Sequence, residues 1–200
     1  MSATSWVQPI TLKSPRLELR PLSVDDAAAL CAICPIETFG YFVTLRPSEP
    51  TVEAWEEYVK ARIDSPRTVS FTVVADGEVV GETAYMDIRD EAKGLEIGLT
   101  WYRPEVRGGW VNPLVKYLML QHAFEKLGAI RVQLKTDGRN THSQSAIKKL
   151  GAQYEGTLRR HGIQTDGYIR DTVMFSIIDS EWPIVKQNLE ERLNQLDVRP

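Results

Sequence analysis

The stretch GLEIGLTWYRPEVRGGWVNPLVK, residues 94–116, passes from a strand through a glycine loop into a helix. Residues 94–102 read as a strand. Asn112-Pro113 is expected to open a helix running to Leu127, with Asn112 as N-cap, Pro113 at the first helical position and Gly128 closing it. A helix start presents free N–H groups and about half a positive charge, so it attracts anions. Gly108 and Gly109 can turn their amides inward, and Arg107 adds a fixed charge suited to a diphosphate. Trp110 and Asn112 are larger than a tight anion cradle wants. Two arrangements answer to that: an indole turned away from the anion, or a site that has closed.

Working outward, residues 16–22 form a strand ending at Pro21, and Ser23 caps a helix over 24–33. Residues 35–50 carry Phe39, Tyr41 and Phe42 without a clean period and read as a loop. Thr51 caps a helix over 52–64, with Val52, Trp55, Val59 and Ile63 on one face. Asp76-Gly77 turns a hairpin between 68–75 and 78–88. After the long helix come a strand at 130–137, a short helix at about 141–150 ending at Gly151, and a hairpin of 153–163 with 168–178 across Thr165-Asp166-Gly167. A last amphipathic helix over 179–196 carries Trp182, Val185, Leu189 and Leu193. This order predicts an α+β, three-layer fold. Residues 1–178 form its domain and 179–200 a helical extension, whose apolar stripe suits packing on that domain or pairing with a second copy as a homodimer.

The 200 residues carry a formal charge of −3, which gives no basic field for nucleic acid. No apolar run approaches a membrane span, and the N-terminal residues lack a basic leader and apolar core, so a cytoplasmic protein is expected. Cys31 and Cys34 form a CxxC at the end of a helix rather than its start, without further ligands at zinc spacing, and neither redox nor metal use is expected. GxGxxG and GxxxxGK[ST] are both absent, which removes the usual dinucleotide and P-loop sites.

The segments TWYRPEVRGGWVN, PLVKYLMLQHAFEKLGAIRV, NTHSQSAIKKLGAQYEGTLRRHG and DGYIRDTVMFSI together resemble the GNAT acetyltransferases, in particular the group related to RimJ and RimL. The resemblance spans about residues 10–178. It implies a mixed, mostly antiparallel sheet of about seven strands with helices on both faces. It also implies acetyl-CoA as donor and a primary amine as acceptor: a protein N-terminus first, a small molecule second. The alternative is a CoA-binding sensor or assembly domain without catalysis. In this family the loop amides hold the CoA pyrophosphate, which falls here on Arg107, Gly108, Gly109, Trp110, Val111 and Asn112. The backbone near Thr100, Trp101 and Tyr102 is expected to line the pantetheine and stabilise the oxyanion, while the side chains of Trp101 and Tyr102 suit plain strand packing. Glu96 is the candidate base, with His161 a weaker one. Many relatives place a tyrosine four residues before the glycine that ends the short helix; here that position is Ile147. Asn140-x-x-Ser143 matches the RimL-like branch, which implies Ser143 as proton donor to the leaving thiolate and Asn140 as a pantetheine contact; helix capping is the other reading of both. Residues 35–50 and 157–170 are expected to line the acceptor pocket.

Overall fold

The computed structural model describes residues 6–42, 46–164 and 166–200; Thr165 of the final turn and residues 43–45 of the aromatic loop lie outside the described residues. One eight-stranded sheet organises the chain: β1 (Leu12–Lys13), β2 (Leu17–Pro21), β3 (Val69–Ala75), β4 (Glu78–Arg89), β5 (Gly94–Tyr102), β6 (Arg131–Asp137), β7 (Gln153–Ile163) and β8 (Ile169–Ile178). Their spatial order is β1-β2-β3-β4-β5-β6-β8-β7, and every neighbouring pair is antiparallel except β5 with β6. Five α-helices cover it: α1 (Ala27–Ile33), α2 (Val52–Ile63), α3 (Val111–Gln121), α4 (Thr141–Lys148) and α5 (Trp182–Gln195).

Alternation along the strands divides two cores. Leu19, Phe71, Tyr85, Leu95, Val132 and Phe175 meet the apolar faces of α3, α4 and α5. On the opposite side, Leu30, Trp55, Tyr58, Val59 and Trp101 form a smaller, aromatic core under α1 and α2. The terminal helix buries Trp182, Val185, Leu189 and Leu193 in the larger core, and Tyr117 of α3 donates to Glu190 at 2.7 Å. Its apolar stripe is thus covered by its own chain.

The mixed, mostly antiparallel sheet is as expected, and its eighth strand is the pair of residues ahead of β2 that joins it as β1. Several expectations need correction. Asn112 is not the N-cap of α3: the helix starts at Val111, Trp110 takes the capping position without a side-chain bond, and Pro113 sits two residues further in. The proline is tolerated there because the first helical N–H groups lack intrahelical partners. The helix also leaves α geometry after Gln121 and ends in a π-helical turn, His122–Lys126, where Leu127 N–H reaches His122 carbonyl. The first helix begins with a 3-10 turn, Val24–Asp26, capped by Ser23 in a capping box. A further 3-10 segment, Ile36–Tyr41, occupies part of the expected loop.

Candidate active site

The parallel pairing of β5 and β6 stops early. Gly94, Leu95 and Glu96 pair with Arg131, Val132 and Gln133; beyond that level β5 runs on to Tyr102 and β6 to Asp137 without pairing. The two strands therefore open a gap in the sheet. A β-bulge marks its start, where Glu82 of β4 opposes Trp101 but Ala84 opposes Gly98. Leu99 takes the left-handed region at φ +53°, a conformation disfavoured for a residue with a Cβ. The extra residue switches which face the side chains meet. Glu96 and Gly98 face the α1–α2 side, whereas Thr100 faces α3 and meets Thr83 Oγ1 at 2.8 Å.

Glu96 lies at the last paired position, almost wholly buried. Its Oε2 accepts from Gln133 Nε2 (3.1 Å) and pairs with Lys135 Nζ (2.9 Å). Oε1 accepts no hydrogen bond among the described residues. Gly98 leaves it room, since a Cβ there would stand 2.9 Å from Oε1 and 2.6 Å from Met86 Sδ. One oxygen is thus fixed by cationic and amide donors and the other left open.

At the far end of the gap, β5 gives way to the glycine loop. Gly108 at φ +76° turns the chain towards α3. The amides of Gly108, Gly109, Trp110, Val111 and Asn112 make no hydrogen bond among the described residues, whereas Arg107 and Leu114 on either side are bonded to Pro104 and Trp110 carbonyls. Arg107 Nε donates to the Tyr102 carbonyl at 2.8 Å, which holds the guanidinium at the end of β5. Asn112 Oδ1 accepts from Tyr102 Oη at 3.1 Å.

Trp110 packs away from the gap. Its ring lies under the Arg16 guanidinium at 4.4 Å, and Arg16 is in turn paired with Asp76 in the β3–β4 turn. Those groups stand on the β2–β4 side of β5; the gap opens on the β6 side. A cavity of about 410 Å³ does lie on that outer side of the loop, but Asp76, Glu78 and Glu105 line it with Arg103, and Arg103 is paired with Glu78. Two of these acids are ion-paired, Asp76 with Arg16 and Glu78 with Arg103.

Other expected residues fall into place unevenly. Asn140 caps α4, its Oδ1 accepting from Ser143 N–H at 2.9 Å. Ser143 is half-buried, and its hydroxyl makes no hydrogen bond among the described residues. Ile147, four residues before Gly151, is buried in the larger core. Trp101 packs in the aromatic core and donates to Glu82, and Tyr102 is buried beside Asn112, so both side chains serve packing. His161 Nδ1 meets Thr172 Oγ1 at 3.2 Å on the outer strand pair. Burial pushes the Cys34 thiol up to about 11, the opposite of a reactive thiolate.

Sequence reasoning missed Lys116. It is buried in α3, and its Nζ donates to Thr100 Oγ1 at 2.7 Å; burial pulls its ammonium down to about 7. A lone lysine inside the apolar run PLVKYLML was the available signal. Glu82 was missed too: fully buried, it accepts from Tyr58 Oη, Arg62 Nε and Trp101 Nε1.

The gap, the free amides and the helix start all lie within residues 16–153, which match the acetyltransferase (GNAT) domain model. The chain belongs to the GNAT acetyltransferases. A GNAT domain is an acyl-CoA-dependent N-acyltransferase, and the family uses acetyl-CoA. This GNAT chain is similar to the uncharacterized N-acetyltransferase p20 of Bacillus licheniformis, 26% identical over 177 residues, covering 86% of this chain and 98% of that one. A crystallised protein of T. thermophilus assigned as an acetyltransferase superposes with a TM-score of 0.88 at 35% identity, over 94% and 99% of the two chains. RimJ of Mycobacterium smegmatis, solved in complex with CoA-disulfide, gives 0.76 at 23% over 92% and 95%, a likeness of fold. No helix is long and apolar enough to cross a membrane, and no cluster of three or more His, Cys, Asp or Glu suited to a metal occurs among the described residues.

Proposed function

We propose that this GNAT domain acetylates a primary amine, with a protein N-terminal α-amine as first-choice acceptor and a small-molecule amine second, by direct attack on the donor. The observation carrying this reading is the gap between β5 and β6. It has five unused amides at one end and the half-open Glu96 carboxylate at the other. Arg107 and the amides of residues 108–112 would hold the CoA diphosphate; the backbone of Thr100 to Tyr102 would line the pantetheine. The Trp110 indole, stacked on Arg16, leaves that inner side open. When bound, acetyl-CoA supplies a thioester carbonyl carbon as electrophile.

Glu96 Oε1 is the proton acceptor in this reading, directly or through water, while Lys135 and Gln133 keep the carboxylate oriented. The demand on it is modest for an α-amine. With a pKa near 7.7–8.0, roughly 10–15% is already neutral at pH 7, against about 0.04% of a lysine amine. Ser143 would return a proton to the leaving thiolate. Asn140 keeps its Nδ2 for the pantetheine, since only Oδ1 is engaged in the cap.

Thiol release from acetyl-CoA, followed with a panel of N-terminal peptides and small amines, tests the reading. Ser143→Ala and Glu96→Gln should each lower kcat tenfold or more with little change in the acetyl-CoA KM. Wild-type turnover in either variant removes that residue from the mechanism. Tight CoA binding with no turnover on any amine would favour a sensor instead.

A further inference from the structure

Beside the gap, on the β6–β8 half of the sheet, lies a buried cation that the mechanism above does not use. Arg170, at the start of β8, is 5% exposed. Its Nη1 donates to the Tyr41 carbonyl at 3.1 Å, and its Nε is buried with no partner among the described residues. No carboxylate stands within ion-pair distance of it among the described residues.

Both neighbouring acids are already engaged. Asp137 accepts from Arg139 on both oxygens and from Gln164, and Glu96 is held by Lys135 and Gln133. Asp137 is paired with Arg139 and Glu96 with Lys135, so neither neighbouring carboxylate is left over for Arg170. Asp137 and Glu96 still favour the guanidinium's charge from a distance, against the cost of burial. A buried guanidinium lacking an anion is costly to keep unless something pairs with it. Three separated segments meet at this point. Arg139, after β6, stacks on Tyr168 at 3.4 Å and faces Tyr41 at 5.8 Å, and Tyr41 supplies the carbonyl that Arg170 holds.

We infer that Arg170 anchors a carboxylate carried by the acceptor, so that the substrate is an amine bearing a negative charge. That charge is the α-carboxylate of a free amino acid or an acidic side chain at the start of a peptide. Arg170 Nε supplies a charged donor to the carboxylate, and Glu96 on the same face takes the amine's proton; the inference therefore rests on the N-acetyltransferase reading above. Arg suits the task because its fork matches a carboxylate's two oxygens.

The test compares wild type, Arg170→Met and Arg170→Lys. Thiol release is measured with L-amino acids against their carboxamides, and with amidated peptides beginning Xaa-Glu against Xaa-Gln. Wild type should prefer an acid form by roughly 10- to 100-fold in KM, the worth of a charge-assisted pair. The first pair of probes reports an α-carboxylate, the second a side chain. Arg170→Met should erase the preference, Arg170→Lys should keep part of it, and the acetyl-CoA KM should not move. Equal KM values for acids and amides in wild type, or an equal loss on both in Arg170→Met, overturns the inference. So does a marked drop in melting temperature for Arg170→Met, which would make the guanidinium a clamp on Tyr41. If no amine is acetylated, the acceptor reading fails by itself. Calorimetric titration of the same acids and amides into wild type and Arg170→Met then decides the Arg170 pocket separately.

Discussion

Lys116 occupies a stretch of α3 in which every residue from Pro113 to Leu120 is buried, and Thr100 Oγ1 is the group its ammonium meets. Its cost should be visible as pH dependence. In the folded chain it loses its proton near 7; unfolded, it keeps the proton to about 10.5. Between those values the unfolded state binds one more proton, so folding stability rises with pH, by about 1.4 kcal/mol per pH unit for that one group. Below 7 both states are charged and the full penalty remains. Urea unfolding of wild type and Lys116→Met at pH 6 to 9 should show this slope in wild type alone, with the variant more stable at pH 6. Parallel pH profiles would show that the ammonium stays charged inside the fold. The sequence displayed the lysine but not its burial, because which face of α3 turns to the bulge at Leu99 depends on the docked sheet.

At the scale of elements, α2 is tied to the sheet through one carboxylate. Glu82 of β4 is fully buried against Arg62 and Tyr58 of α2 and Trp101 of β5. Burial drives its pKa up, with the Arg62 charge the strongest of the groups opposing it. Breaking such a pair strands a charge, so Glu82→Ala should cost about 3–5 kcal/mol in denaturant unfolding. A double replacement, Glu82→Leu with Arg62→Met, should cost far less. Near-neutral behaviour of the single variant would mean water reaches the pair. Element types were legible from periodicity and turn residues: Asp76-Gly77 marked the β3–β4 hairpin, and Thr51 the start of α2. The start of α3 was misplaced because Trp110 caps it with no side-chain bond, leaving no chemical sign in the sequence. The bulge was likewise hidden, since Leu99 is no turn residue and its positive φ falls where the β4–β5 register shifts, between Gly98 and Trp101.

For the whole molecule, a donor held as proposed, against two strands, the loop and a helix start, should couple its binding to global stability. A ligand held by the folded state alone adds about 2.7 kcal/mol at one hundred times its Kd. For a chain of this length that corresponds to roughly 5–10 °C in melting temperature. CoA should raise Tm by about that amount, and Trp110→Ala should lower the starting Tm while keeping the increment. A larger increment in the variant would mean that the indole obstructs the donor, and no increment in wild type would remove the CoA site.

The sequence by itself determined the order of the main strands and helices from β2 onward, the two-sided layering and the position of the glycine loop before α3. These follow from local periodicity, from turn chemistry and from the N–H groups any helix start exposes. Only the tertiary structure decided where β5 and β6 part, which way Trp110 turns, and that Glu96, Lys135, Asp137 and Arg170 share one face. Those outcomes depend on contacts between segments far apart in the chain, whose energies no local pattern encodes.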